Sequence, residues 1–543
     1  MNSGDTKRFK DVLAFKGIPF AKPPIGKRRW TYAEPLDQHD KVTTSLASPM
    51  QFVCDDPSAF FYQPMDSTSE DCLYLNIWAP SVGVSHQHAT AEAGVEADEG
   101  DLLPVMVWLY GGGLVSGSAH QAVYDGSELA RKGVVVVAIN YRVGVFGYFS
   151  HPALSQESPQ QVSGNYGTSD QIQALKWIAQ HIAQYGGDTN NVTLFGQSAG
   201  ALSISHLMIS PLATGLFHKA ILQSAYLPAL PYLKKPYLNM LAAEDYGEQF
   251  GADLGFEFAG KATLKALREL PAEALLQAAS VYEFDKAVVD GYTILDQIDC
   301  LFEQGKQQSI PVLAGINRCE GSYLPALGLV QTPVNQASYI EAVKSRYAEL
   351  ADEYLTVYPA DDLDRAAWAP IGNGLYDWGT EKLARLVSKS GSNTYFYLFD
   401  HPPLWAEQKG LGAFHTSELS YSFNQVERGL QYSESWPNTP VRHSDIEMAE
   451  IMSNYWVAFA YHGSPAVDGQ PKWLVFNDID RCYMTFKQGR AMPCVALGKE
   501  LFALHEKMVT QRKRLGINWT FRNLGLLAPK QREADEVKKN DPS

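Results

Sequence analysis

Five short stretches of this chain are apolar almost without a break: Val105-Met106-Val107-Trp108-Leu109-Tyr110, Val134-Val135-Val136-Val137-Ala138-Ile139, Ala220-Ile221-Leu222-Gln223, Pro311-Val312-Leu313-Ala314-Gly315-Ile316 and Thr394-Tyr395-Phe396-Tyr397-Leu398-Phe399. A strand with one wet face alternates apolar and polar residues. Runs that do not alternate are what a mostly parallel sheet, covered on both faces, demands. Between the second and third runs, Asp170 to Tyr185 sets Ile172, Leu175, Ile178 and Ile182 at helical spacing. Strands alternating with helices predict an α/β fold around one large twisted sheet. The chain has 543 residues, which could make several ordinary domains, but length is only a prior against that pattern.

The pentapeptide Gly196-Gln197-Ser198-Ala199-Gly200 closes the β-formers Val192-Thr193-Leu194-Phe195 and opens a helix-like stretch of small and apolar residues. A serine on such a strand–turn–helix corner is pushed out of the fold as a nucleophile. The corner crowds the backbone, and glycine two places before and after it lets neighbouring segments approach without a Cβ clash. Taken alone the string is weak evidence. Upstream, however, the run ending at Tyr110 breaks into Gly111-Gly112-Gly113. A lone triple glycine is most simply a tight turn. Beside this corner it reads as the amide-rich loop that, with the N–H of the residue after the nucleophile, holds a tetrahedral oxyanion. Gly112, Gly113 and Ala199 are the expected donors.

These segments, together with Phe15-Lys16-Gly17-Ile18-Pro19-Phe20-Ala21-Lys22-Pro23-Pro24, Glu70-Asp71-Cys72-Leu73-Tyr74-Leu75-Asn76, Asn140-Tyr141-Arg142-Val143-Gly144 and Gly186-Gly187-Asp188, stand in one order along the chain. In that order the chain resembles the type-B carboxylesterases, the cholinesterase-like branch of the α/β-hydrolases, and more loosely so as far as about Phe486. The resemblance implies an α/β-hydrolase fold: a large, mostly parallel twisted central sheet flanked by helices, with helical cap and lid insertions over an active-site gorge. One catalytic domain is expected over residues 1–529, with cap insertions at about 230–300 and 334–390. A polar loop insertion at 83–101 and a charged tail at 530–543 complete the organisation, and no internal repeat is found.

A triad needs a histidine to take the serine proton and a carboxylate to hold that histidine, in the chain order Ser, acid, His. Order and loop context leave His401, His415, His443 and His462, with His415 favoured for its glycine-flanked loop Gly410-Leu411-Gly412-Ala413-Phe414. The resemblance selects His415, because Gly412 to Leu419 lies on the family's histidine motif, although Thr416 stands where a glycine is usual. It also assigns the acid to Glu320 in Asn317-Arg318-Cys319-Glu320-Gly321, where Cys319 replaces a customary Asp; Asp400 is the second choice. Ser224 matches a serine that supports the acid and histidine, and Gln197 belongs to the same supporting shell. Arg29 with Glu70 and Arg142 with Asp170 match scaffold ion pairs.

The expected reaction is acyl transfer through Ser198 onto water, with hydrolysis falling below about pH 6 to 7 as the general base protonates. Cofactors are expected to be none. The pair His86 and His88 lacks the further ligands of a zinc site, and Gly111-Gly112-Gly113 lacks the lysine of a phosphate loop. The partners are a small ester and water. A formal net charge of −15 speaks against nucleic acid, and no apolar run is long enough for a membrane span. The chain is read as a monomer or weak homodimer.

Cholinesterases carry Glu before the nucleophile and a Trp in the disulfide loop. This chain has Gln197, and residues 54–72 contain Phe60, Phe61 and Tyr62 but no Trp, which disfavours choline esters. General carboxylic esters are the default. A bulky ester, such as the polycarboxylate esters of mycotoxins, is the specialised alternative, and a non-catalytic adhesion module is the rival that the complete triad opposes. Cys54 and Cys72 stand where relatives close a loop by a disulfide, which would place a leader-trimmed protein outside the cell or in the periplasm; without it the expectation is cytoplasmic. Cys482 and Cys494 form a second candidate pair. Cys300 and Cys319 have no assigned partner, and the sequons at Asn191 and Asn518 carry little weight.

Overall fold

The computed structural model describes residues 10–37, 43–65, 67–81, 102–256 and 261–531. All of the polar insertion at 83–101, including His86 and His88, lies outside them, as do the first nine residues and the tail from 532 onward.

Twelve strands occur among the described residues: β1 (Val12–Pro19), β2 (Ser48–Pro49), β3 (Thr68–Ser69), β4 (Tyr74–Pro80), β5 (Leu103–Leu109), β6 (Val135–Ile139), β7 (Gly187–Gln197), β8 (Lys219–Gln223), β9 (Val312–Asn317), β10 (Thr394–Phe399), β11 (Tyr483–Lys487) and β12 (Arg490–Cys494). Ten of them form one sheet in the order β1-β4-β6-β5-β7-β8-β9-β10-β11-β12, while β2 and β3 pair by themselves. From β6 to β11 every neighbouring pair is parallel, and antiparallel pairing is confined to the two edges. The non-alternating runs are the strands of this parallel centre. Every residue of β6, β8, β9 and β10 is buried, as a sheet covered on both faces requires.

The predicted amphipathic helix runs over Tyr166–His181 and ends in a short 3₁₀ turn at Ile182–Tyr185. Arg142 and Asp170 tie the loop after β6 to it. The Arg142 Nε donates to Asp170 at 2.8 Å and Nη2 at 2.7 Å, with both side chains buried. Removing either partner would strand a buried charge. Arg29 and Glu70 make a similar bidentate pair, with the Nε contact at 2.6 Å. Over the sheet, helices such as Ala243–Asp253, Ala272–Ala279 and Gln336–Tyr347 supply the extra mass between strands. The helix Trp378–Lys389, by contrast, packs directly on β9 and β10.

The expected bridge between Cys54 and Cys72 is not formed, and all six cysteines are free. Cys54 sits on an exposed loop with its Sγ 3.8 Å from the Asp56 carbonyl, whereas Cys72 is fully buried beside Asp170 and Arg142, where burial drives its thiol well above the ordinary value. The loop is closed by aromatic packing instead. Phe60 and Phe61 lie against Trp436, whose indole Nε1 donates to the Phe60 carbonyl at 2.7 Å. Cys482 and Cys494 also remain unpaired. Among the described residues no helix is long and apolar enough to cross a membrane.

Candidate active site

Strand β7 ends at Gln197 and the helix Ala199–Ile209 begins two residues later, so Ser198 alone makes the corner. Its backbone has φ 56° and ψ −124°, a region that costs a non-glycine residue energy and persists only where the surroundings impose it. Here they do. A Cβ on Gly200 would lie 2.0 Å from the Leu109 carbonyl oxygen, and one on Gly196 2.7 Å from the Gly200 carbonyl carbon. Strand β5 and the helix meet backbone to backbone, which explains the glycine spacing of the motif. The Ser198 amide donates to the Gln223 carbonyl at 2.9 Å, fixing the corner from the β8 side.

Glycine 112 has φ +113°, and a Cβ there would strike the Ser116 carbonyl oxygen at 2.3 Å. The loop folds back on itself at this point, with Val115 and Ser116 donating to the Gly112 carbonyl. Gly112 and Gly113 line the same cavity as Ser198. Among the described residues, the amides of Gly112, Gly113 and Ala199 donate to no other backbone group, which leaves three N–H donors near the serine for a ligand.

On the opposite side, His415 Nδ1 and Glu320 Oε2 are 2.7 Å apart. Glu320 Oε1 accepts from Ser224 Oγ at 2.6 Å and from the Asn317 amide at 2.7 Å. Burial pushes this carboxyl upward, while the two donated bonds favour its ionised form. With the Nδ1 proton directed at Glu320, the imidazole lone pair is on Nε2. Burial lowers His415 to about 4, so the ring stays neutral at pH 7 and keeps that lone pair. Ser198 and His415 line one cavity, but no hydrogen bond joins them in this arrangement. Instead Gln197 Nε2 lies 3.2 Å from His415 Nε2.

The alternatives fall elsewhere. His401 Nε2 contacts Asp445 at 2.8 Å, His443 is exposed beside Glu447, and Asp400 pairs with Lys487 at 2.9 Å. Neither Asp400 nor any of the other three histidines lines the serine cavity.

Four contributors went unassigned in the sequence. Glu418 accepts from Asn317 Nδ2 at 2.6 Å and from Gln223 Nε2 at 3.2 Å, and burial together with Glu320 raises it to about 7. Asn317 also donates to the Phe414 carbonyl at 2.8 Å, stitching the end of β9 to the histidine loop. A π-helical turn at Asn373–Asp377 then presents Tyr376, whose ring stacks on His415 at 3.9 Å, and Asp377, a third buried carboxyl near Glu320. Such turns recur at functional sites, but a π-turn has no sequence signature. Glu418 had one usable signal, its place three residues after His415 inside the quoted motif.

Thr416 follows His415 at φ 76°, the conformation a glycine takes freely. The cavity above the serine has a volume of about 670 Å³ and is walled by rings including Phe61, Tyr226, Tyr282, Tyr323 and Tyr432.

Residues 2–500 match the carboxylesterase family. The chain is 34% identical over 489 residues to the fumonisin B1 esterase of Sphingopyxis macrogoltabida, covering 86% of this chain and 82% of that protein. It is 32% identical over 498 residues to the cocaine esterase of Homo sapiens, with the same coverage on both sides. Among solved structures, a PNB esterase superposes with a TM-score of 0.73 at 28% identity, covering 92% of this chain and 96% of that one.

Proposed function

The chain belongs to the carboxylesterase family and is a serine-type carboxylic ester hydrolase, and from that premise we propose that Ser198, His415 and Glu320 carry the reaction, with Gly112, Gly113 and Ala199 as the oxyanion hole. The observation that supports this most is the 2.7 Å contact between Glu320 and His415, facing a strained serine across one cavity beside free amides. His415 Nε2 takes the proton from Ser198 Oγ, which attacks the ester carbonyl. The oxyanion is held by the loop and corner amides, and the alcohol leaves with the proton from His415. Water, deprotonated by the same imidazole, then releases the acid. Ser224 and Asn317 act on Glu320, and Glu320 acts on the histidine tautomer.

Carboxylic esters with a bulky substituent suit the wide aromatic cavity. A choline ester is disfavoured by the neutral Gln197 beside the serine and by a cavity wall that takes Phe61, not a tryptophan, from residues 54–72. A relative named for fumonisin B1 favours the bulky-ester alternative over the general carboxylic-ester default.

The test is hydrolysis of p-nitrophenyl acetate and butyrate by the protein and by Ser198→Ala. A fall in kcat of about 10⁴-fold or more is expected, since removing the nucleophile costs that much in triad enzymes. Activity that survives the substitution would remove Ser198 from the mechanism.

A further inference from the structure

The mechanism leaves unused two tyrosines of the sequence motifs, Tyr110 before the triple glycine and Tyr141 after Asn140. They stand one and two residues past the ends of β5 and β6, and both are fully buried. Their rings stack at 4.2 Å with a tilt of 8°. Each hydroxyl donates to the other residue's carbonyl, Tyr110 Oη to Tyr141 at 2.7 Å and Tyr141 Oη to Tyr110 at 2.6 Å. Burial holds both phenols well above their ordinary value, so both stay protonated donors.

The two bonds serve different ends. The Tyr141 carbonyl belongs to a segment already tied down by the Arg142 amide, which donates to Asp170 at 2.9 Å. The Tyr110 carbonyl opens the glycine loop. It shares one rigid peptide plane with the Gly111 amide, and the three glycines that follow resist rotation less than other residues do. The directions of the Gly112 and Gly113 amides must therefore be imposed from outside the tripeptide. The bonds from Val115 and Ser116 to the Gly112 carbonyl supply part of this. The exit of the loop supplies another part, since a Cβ on Gly117 would lie 2.3 Å from the Tyr110 ring and 2.6 Å from the Gly111 carbonyl oxygen. At the entry, the Tyr141 hydroxyl holds the peptide plane. The Tyr110 oxygen that it holds also abuts the helix beginning at Ala199, for a Cβ on Gly200 would lie 2.8 Å from it. One hydroxyl thus fixes the point where the loop donors and the corner donor meet.

We propose that Tyr141 is a positioning residue for the oxyanion hole, its hydroxyl setting the Gly112 and Gly113 amides through the Tyr110 carbonyl. This role rests on the reading of Ser198 as nucleophile and of those amides as its oxyanion donors. Losing the hydroxyl should weaken the tetrahedral state and leave the bound ester alone, because the oxyanion forms only after attack.

The test compares Tyr141→Phe with Tyr110→Phe, each of which keeps both rings and deletes one buried hydroxyl. Inhibition is measured with a trifluoromethyl ketone and with the methyl ketone of the same chain. Ser198 Oγ adds to the fluorinated carbonyl carbon, its proton passes to His415 Nε2, and the ketone oxygen becomes the anion in the hole. The methyl ketone stays largely unattacked. In the parent the fluorinated ketone should bind about 100-fold more tightly or better, as transition-state analogues do. In Tyr141→Phe that preference should shrink by about tenfold or more, with kcat for p-nitrophenyl butyrate falling in proportion and KM within about twofold, since outright loss of one oxyanion donor costs about 10²-fold to 10³-fold. In Tyr110→Phe the preference should stay within about threefold of the parent, because the bond to the Tyr110 carbonyl survives. An unchanged preference in Tyr141→Phe, an equal loss in Tyr110→Phe, or failure of Tyr141→Phe to fold would each overturn the role, the last two by reducing the pair to packing. A parent that binds both ketones alike would remove the oxyanion hole itself, a failure visible before any variant is made.

Discussion

The two halves of the catalytic constellation are held in different ways. The serine half is backbone against backbone: Gly196 and Gly200 let β5, β7 and the following helix touch, and the Ser198 amide is pinned to the Gln223 carbonyl. The histidine half hangs on a loop secured mainly by side chains. Ser322 Oγ donates to the Leu411 carbonyl at 2.6 Å and Asn317 Nδ2 to Phe414 at 2.8 Å, with one backbone bond from Cys319 to Ala413 at 2.9 Å. The serine is therefore placed by close backbone contacts of its own pentapeptide with Leu109 and Gln223, the histidine mainly by polar side chains some hundred residues away. A change on the first side should damage the fold, and a change on the second should damage the chemistry first.

Gly200→Ala is the harshest test of that contrast. Its new methyl would sit 2.0 Å from the Leu109 carbonyl oxygen and 2.8 Å from that of Tyr110, and neither backbone atom can rotate away. Destabilisation of about 3 kcal/mol or more is expected from overpacking of this severity, with melting and esterase activity lost together. A Gly200→Ala protein with an unchanged melting curve would break the comparison.

Glu320→Gln probes the other side. The amide keeps the volume and a hydrogen-bonding oxygen, so the fold should melt within a few degrees of the parent. The histidine loses its carboxylate, and kcat should drop about 10⁴-fold, as when the corresponding acid is neutralised in a serine protease triad. If kcat and stability instead fall in step, Glu320 is part of the scaffold and not of the chemistry.

The same division explains what could be read from the chain. Elements set by local pattern were legible: the buried runs became β5, β6, β8, β9 and β10, and the corner residues fell where their spacing put them. The histidine loop was favoured by its glycines but selected only through resemblance, because the physics that fixes it lies in Asn317, Ser322 and Glu418, polar residues whose burial no periodicity announces. The π-helical turn that sets Tyr376 on His415 was illegible for a similar reason, since it interrupts one continuous helical run from Leu363 to Lys389 without any local pattern to mark it. The disulfide expectation was not met: Cys54 is exposed and Cys72 buried, and the loop between them packs on Trp436 through Phe60 and Phe61.

Acidity distinguishes the two halves more gently. Residue type alone placed the acid limb near pH 6 to 7, but burial lowers His415 to about 4. Protonation removes the general base, and a lowered pKa means that more acid is needed to do so. The midpoint of kcat/KM should accordingly lie below the ordinary histidine value of about 6.5. Gln197→Glu would set a carboxylate beside the ring, favour the imidazolium and move the midpoint upward. A wild-type midpoint near 7, unmoved by Gln197→Glu, would show that neither burial nor Gln197 governs the base.

Thr416 offers the smallest and most local test. It holds φ 76° directly after His415, the proposed general base, and its Oγ1 is buried without a hydrogen-bond partner. A β-branched residue in that conformation costs about 1 to 3 kcal/mol, and an unpaired buried hydroxyl adds to the cost. Glycine would remove both, at the expense of about 0.5 to 1 kcal/mol in unfolded-chain entropy. Thr416→Gly should therefore gain about 1 kcal/mol, which in a chain of this size raises the melting temperature by only about 1 °C. Because Glu320 and Tyr376 hold the ring independently of residue 416, kcat should stay within about twofold, a change worth well under 1 kcal/mol of barrier. A gain in stability accompanied by a large loss of kcat would mean that strain in the backbone, and not the side-chain partners, aims the imidazole at the serine. The histidine half would then resemble the serine half after all.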